Sequence, residues 1–231
     1  PGARAAFNAD LRALRAAIEA GEVYQVNHTT RWHGRLRAGS TQALFQALRR
    51  AQPRGHLVWL DAGDHQVLSL SPELFFDWDG ESILLRPMKG TAPRDADPVR
   101  DAAHAVALAA CPKERAENVM TVDLMRNDVS RIARPNSVRV PRLFDVQGLP
   151  TVWQMTSDIT ARTREGIPLV DVFAALFPCA SVTGAPKARA MHHIRQREAD
   201  ARGVYCGAAG VVRPRAGAVF NVAIRPGVAR G

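Results

Sequence analysis

Lysine is the scarce cation of this chain: Lys89, Lys113 and Lys187 are the three lysines among 31 Lys and Arg residues. Each sits in a segment with other reactive groups, Arg-Pro-Met-Lys-Gly-Thr, Cys-Pro-Lys-Glu-Arg-Ala-Glu-Asn and Val-Thr-Gly-Ala-Pro-Lys. An ammonium can lose its proton and become a nucleophile, whereas a guanidinium stays charged. A lysine kept where arginine is the default marks a candidate for amine chemistry.

Three further groups carry chemical potential. Glu114 and Glu117 lie three apart on a predicted helix, so their carboxylates share a face that continues through Asp123, Asn127 and Asp128. Two carboxylates suit magnesium, which takes one or two of them plus water and substrate oxygens. A solvated stripe bridged by Arg115 and Arg126 is the competing reading. Val182 to Lys187 reads as a loop entering a helix, where first-turn N–H groups can hold a carboxylate or phosphate and Gly184 allows close approach. Ordinary capping, with Thr183 near the cap and Pro186 in the first turn, explains the same residues. Glu73, between Leu70 and Leu74, is either a general acid with a raised pKa or a surface charge on an edge strand. Arg225 closes the last predicted strand, where it can clamp a carboxylate bidentately or merely snorkel.

The elements that must position these groups follow from periodicity. Phe7, Leu11, Leu14 and Ile18 predict a helix over 3–20, ended by Gly21. Alternation predicts a strand over 23–33, short strands over 56–60, 66–70, 74–78 and 82–86, and longer ones over 137–145 and 151–163. Helices are predicted over 41–50, 98–110, 114–132, 169–177 and 185–197, and a closing hairpin pairs 204–213 with 218–225. Strands and helices cluster rather than alternate, which favours an α+β fold of mostly antiparallel sheets over a doubly wound one, in one domain over 1–231.

With 46% apolar and 23% charged residues, the 231-residue chain has the composition of a globular protein. The net charge of +9 comes from arginines scattered among acids, without a basic run interleaved with aromatics, so no nucleic-acid partner is expected. That charge still steers small anions. No apolar run reaches the roughly 18 residues that span a bilayer, and no signal-type stretch opens the chain. Cys111, Cys179 and Cys206 are too few and too dispersed for a disulfide framework or a zinc site, and the expectation is a cytoplasmic protein without a membrane partner.

Taken together, the segments resemble the chorismate-utilising enzymes. The resemblance runs through Tyr24-Gln25-Val26-Asn27, Leu70-Ser71-Pro72-Glu73, Arg86 to Thr91, Arg115-Ala116-Glu117-Asn118, Val122 to Asp128, Ser181 to Lys187, Tyr205-Cys206-Gly207 and Phe220 to Arg225. It implies an anthranilate synthase component I-like sandwich, magnesium, and chorismate, a dianion, as substrate. Where the water-using branches place a lysine base, this chain has Gln25, a neutral amide that points to an amine nucleophile. Lys89 matches the aminodeoxychorismate synthase component I branch, in which a lysine is proposed to attack ring C2 before ammonia enters at C4.

The family's roles then fall on matching positions. Lys89 is the expected nucleophile and Glu73 the acid that protonates the departing hydroxyl; Glu117, with Glu114 second, is the expected magnesium ligand. Tyr205 and Arg225 would hold a substrate carboxylate, Thr183 and Gly184 would supply hydrogen bonds opposite, and Gln25 and Thr91 would line the site. Gln154 stands where many relatives have histidine, so it can position substrate but not shuttle a proton at neutral pH. A glutamine amidotransferase (glutaminase) partner is expected to supply ammonia. Relatives continue past Arg225 into a glycine-rich loop and a helix with further acidic ligands, so the expectation is a truncated catalytic domain with weak turnover alone. An anthranilate synthase-like enzyme and a non-catalytic chorismate-binding remnant are the alternatives.

Overall fold

The computed structural model describes residues 2–53, 55–214 and 217–230. Helix α1 (Gly2–Glu19) leads into a two-residue strand β1 (Gln25–Val26), then α2 (Thr41–Ala51). Five strands follow: β2 (His56–Asp61), β3 (His65–Ser71), β4 (Leu74–Trp78), β5 (Ser82–Arg86) and β6 (Met88–Pro93). After α3 (Pro98–Ala110) and α4 (Pro112–Ser130) come β7 (Arg139–Gly148), β8 (Val152–Arg162) and α5 (Leu169–Leu176). The chain then passes through β9 (Gly184–Ala185), α6 (Lys187–Arg197), β10 (Ala208–Arg213), β11 (Gly217–Val222) and β12 (Pro226–Arg230).

Among the described residues the strands form three antiparallel sheets, with seven strands in the largest, ordered β10-β11-β4-β5-β8-β6 with β7 also pairing β8. A three-stranded sheet runs β12-β3-β2, and β1 pairs with β9. Helix α4 lies against β6 and β8. The main core gathers Phe75 and Phe76 of β4, Phe173 of α5, and Val122, Met125 and Val129 of α4. Phe173 meets the Phe220 ring of β11 edge-on, centroids 4.8 Å apart, the geometry the ring quadrupoles prefer. Asp97 caps α3 by accepting the Val99 and Arg100 N–H groups, and Pro98 supplies a first-turn residue with no N–H to satisfy.

Five local expectations need correction. The alternation over 23–33 yields only two strand residues, because β9 offers a partner just two residues long. Beyond it, the Asn27 N–H goes to the Thr183 carbonyl and the Thr29 N–H to the Glu198 carboxylate. Strand β6 escaped the periodicity because Pro87, Gly90 and Pro93 interrupt its alternation. Helix α6 begins at Lys187, with Pro186 outside it as the cap residue and Ala185 in β9. Arg225 does not end a strand: β11 stops at Val222, and Arg225 occupies the bend before β12. Asp128 leaves the exposed α4 stripe and is one of the buried polar residues of the helix, as Asn118 and Thr121 are.

Candidate active site

Strand β6 carries Lys89, and a clamp from the neighbouring strand fixes its position. Gln154 of β8 donates from Nε2 to the Gly90 carbonyl at 2.8 Å and accepts the Thr91 hydroxyl at 3.1 Å. Both ends of the amide are thus spent on β6, and Thr91 and Gln154 are also backbone partners. Gly90 has φ of +94°, and a Cβ there would lie 3.2 Å from Glu114 Oε2, so α4 packs directly on the backbone beside Lys89.

The three lysines end in three different environments. Lys113 Nζ lies 3.1 Å from Glu114 and 3.0 Å from Glu117. Lys187 Nζ lies 2.5 Å from Asp128 Oδ2 and donates to the Leu176 carbonyl at 3.1 Å. Lys89 Nζ instead donates to two neutral acceptors, the Ser181 carbonyl at 3.0 Å and Asn27 Oδ1 at 3.3 Å.

Glu73 is 2% exposed, in the turn between β3 and β4. That burial removes the edge-strand alternative. Its N–H donates to Ser71 Oγ at 3.1 Å and its carbonyl accepts the Val222 N–H at 3.1 Å, while side-chain Oε1 is buried without a hydrogen-bond partner. Desolvation pushes the carboxyl pKa from 4.5 up to about 7, despite opposing pulls from Ser181, the Lys89 charge and the Met88 N–H. An acid that is half protonated near neutrality therefore shares its surroundings with a lysine amine.

Glu114 and Glu117 project from one face of α4 and converge on a single cation, the Lys113 ammonium. Hard oxygen donors gathered on one positive charge fit magnesium. Among the described residues no third acidic, histidine or cysteine side chain joins them as a cluster, so the protein's share of such a shell is two carboxylates.

The remaining predicted residues spread around this centre. Thr183 is buried and its hydroxyl donates to the Cys179 carbonyl at 3.1 Å, so that donor is used within the loop rather than offered to a ligand. Gly184 has φ of +150°, and a Cβ there would stand 2.1 Å from the Gln25 carbonyl oxygen. Its lack of a side chain serves the close pairing of β1 and β9, not the anchoring of an anion at a helix N-terminus. Gln25 joins β9 through its backbone, opposite Ala185. Tyr205 and Thr183 both line a cleft of about 590 Å³ with Glu198, Arg202 and Met191, which neither Lys89 nor Glu73 lines. Arg225 is exposed, and among the described residues its side chain has no hydrogen-bond or ion-pair partner. Lys89, Glu73, Thr91 and Gln154 therefore come together, with Glu114 against Gly90, whereas among the described residues no side-chain contact joins Tyr205 or Arg225 to them, although the Arg225 carbonyl accepts the Leu70 N–H three residues before Glu73.

Sequence reasoning passed over Asn27 and Ser181, the two residues that hold the Lys89 amine, and the Glu198–Arg202 pair. Glu198 and Arg202 sit four apart beyond the helix pattern, and their ion pair at 2.7 Å gives no periodic signal.

A chorismate binding enzyme family model matches residues 3–231. The chain is 44% identical to aminodeoxychorismate synthase component 1 of Klebsiella aerogenes, across 90% of this chain and 46% of that relative. It is 38% identical to anthranilate synthase component 1 of Streptomyces coelicolor, across 96% of this chain and 43% of the relative. It spans a little under half the length of each. The crystal structure of anthranilate synthase component I from Streptococcus pneumoniae superposes with a TM-score of 0.86 at 29% identity, covering 96% of this chain and 49% of that one. A match along almost the whole chain, joined to the shared antiparallel sandwich, places this protein in the chorismate binding enzyme family.

Proposed function

We propose that the chain is the chorismate-using part of an aminodeoxychorismate synthase component I, which exchanges the C4 hydroxyl of chorismate for an amino group on the route to 4-aminobenzoate and folate. The observation that carries this reading is the pairing of Lys89, held by neutral acceptors, with the buried and readily protonated Glu73. The relatives named aminodeoxychorismate synthase component 1 support it, and the word component supports a second subunit, here taken as a glutaminase that supplies ammonia. In this reading the reaction is cytoplasmic.

The Lys89 amine, once deprotonated, forms a bond to ring C2. The two ring double bonds shift, the C4–O bond breaks, and Glu73 gives its proton to the departing hydroxyl, which leaves as water. Ammonia then bonds to C4, the double bonds shift back, and the C2–Nζ bond breaks to return the lysine. Glu114 and Glu117 would hold magnesium, which when bound neutralises a substrate carboxylate. Gln154 keeps Gly90 and Thr91 in register, so that the Lys89 amine is aimed rather than free to swing.

Chromatography after incubating the chain with chorismate, magnesium and ammonium tests the assignment. The expected product is aminodeoxychorismate, lost in Lys89→Ala. Anthranilate as the direct product would replace this reading with the ortho-aminating one that the Streptomyces coelicolor relative favours. Calorimetric chorismate binding with no product from the chain would leave a binding remnant.

A further inference from the structure

We infer that Asn27 is a positioning residue for the Lys89 amine: its neutral amide oxygen orients Nζ without setting a full negative charge beside it. The inference rests on the reading of Lys89 as a nucleophile.

Asn27 is wired on every side. Its Oδ1 accepts from Lys89 Nζ at 3.3 Å, and its Nδ2 donates to the Thr183 carbonyl at 3.3 Å. The two bonds use opposite ends of the amide, so the carbonyl end faces the lysine and cannot rotate away without losing both. The Asn27 N–H donates to the same Thr183 carbonyl at 2.8 Å, and its own carbonyl accepts Arg202 Nη2 at 2.6 Å. Arg202 also donates to the Val182 carbonyl at 2.7 Å and forms a two-point bond with Glu198, whose Oε1 accepts the Thr29 N–H. One guanidinium thus ties the backbone of Asn27 to the loop that presents Ser181, the second acceptor of Nζ.

The chemical sense lies in the contrast with the other lysines. Lys113 and Lys187 each close an ion pair with a carboxylate, and the Lys113 pKa is raised by its bonds to Glu117 and Glu114. Asn27 and Ser181 hold Nζ by direction, and neither acceptor carries a full negative charge. The charged group that faces Lys89 is Glu73 from the β3–β4 turn, with Glu114 of α4 packed against the adjoining Gly90 and Arg202 behind Asn27.

Competitive acetylation with acetic anhydride across pH, read by mass spectrometry on the whole chain, tests this without requiring turnover. The three lysines make it clean, with exposed Lys113 as internal reference. In Asn27→Asp the carboxylate should hold the ammonium charged, so the Lys89 labelling curve moves to higher pH by about one unit or more, roughly a tenfold loss of labelling at a fixed pH below the midpoint. In Asn27→Ala, with one acceptor gone, Lys89 should label severalfold faster relative to Lys113. A Lys89 curve that coincides with the parent in both variants overturns the inference. Lys89→Ala separates it from the functional reading: if amination persists at full rate there while the labelling shifts appear, Asn27 still positions the amine and the covalent step is wrong.

Discussion

Glu73 and Lys89 are neighbours that do not close an ion pair: the carboxyl keeps Oε1 unpartnered, while the ammonium turns to Ser181 and Asn27. The carboxyl is buried and the lysine half-buried, so the Lys89 charge acts on Glu73 across space and only partly offsets the desolvation that favours its protonated form.

Burial of Glu73 makes a stability prediction. Its folded pKa, about 7, exceeds the ordinary 4.5, so its protonated form favours folding. That contribution is complete below pH 4.5 and is lost as pH rises through about 7; the gap is worth roughly 3 kcal/mol. Urea unfolding between pH 5 and 8 should show the parent losing up to about that much more stability than Glu73→Gln, whose amide does not titrate. Parallel curves for the two proteins would mean that Glu73 ionises freely in the folded state.

Lys187 was singled out by the sequence as a possible reactive amine, and the structure gives it a different task. Its ammonium joins Asp128 of α4 to the end of α5 through the Leu176 carbonyl. Lys187→Met strands a carboxylate that is 11% exposed, and the loss expected on denaturant unfolding is about 3–5 kcal/mol. Adding Asp128→Leu should recover much of that loss, since removing both charges leaves neither uncompensated. Stability unchanged in the single variant would show that the pair carries no structural load.

Most long elements were legible in the sequence because each has its own pattern: α1 shows helical spacing and β8 shows alternation. The site was legible only in part. Glu73, Lys89 and Glu114 stand out by type, but their assembly depends on β6, which two prolines and a glycine hide from any period. Asn27 lies in a segment that carries the resemblance, but its role does not follow from any local pattern. Its role comes from a contact 62 positions away in the chain and from a guanidinium 175 positions away. Gly184 was read as room for a ligand, whereas a neighbouring strand fills that room.

Gly184 accordingly makes a sharp test of the β1–β9 contact. An alanine methyl would face the Gln25 carbonyl at 2.1 Å and the Ala190 Cβ at 2.8 Å, on a φ of +150° that L residues rarely adopt. Backbone cannot yield as a side-chain tip can, so β1 should peel from β9 in Gly184→Ala. Limited proteolysis should then cut near residues 23–30 at least tenfold faster than in the parent, a change of about 1.4 kcal/mol in local opening. An unchanged cleavage rate would show that the two strands tolerate separation.

The acidic pair on α4 yields the last prediction, which concerns magnesium. Lys113 now occupies the point where Glu114 and Glu117 converge, and it is 72% exposed. A metal must displace that ammonium before it reaches both carboxylates. With that competing cation removed, Lys113→Met should tighten magnesium binding in calorimetry. Glu117→Gln should weaken it in the same assay, because one of the two anionic donors is lost. If the lysine variant binds magnesium no better and the glutamine variant no worse, the carboxylates at 114 and 117 are an ordinary solvated ion-pair stripe, and the metal, if held at all, is held elsewhere.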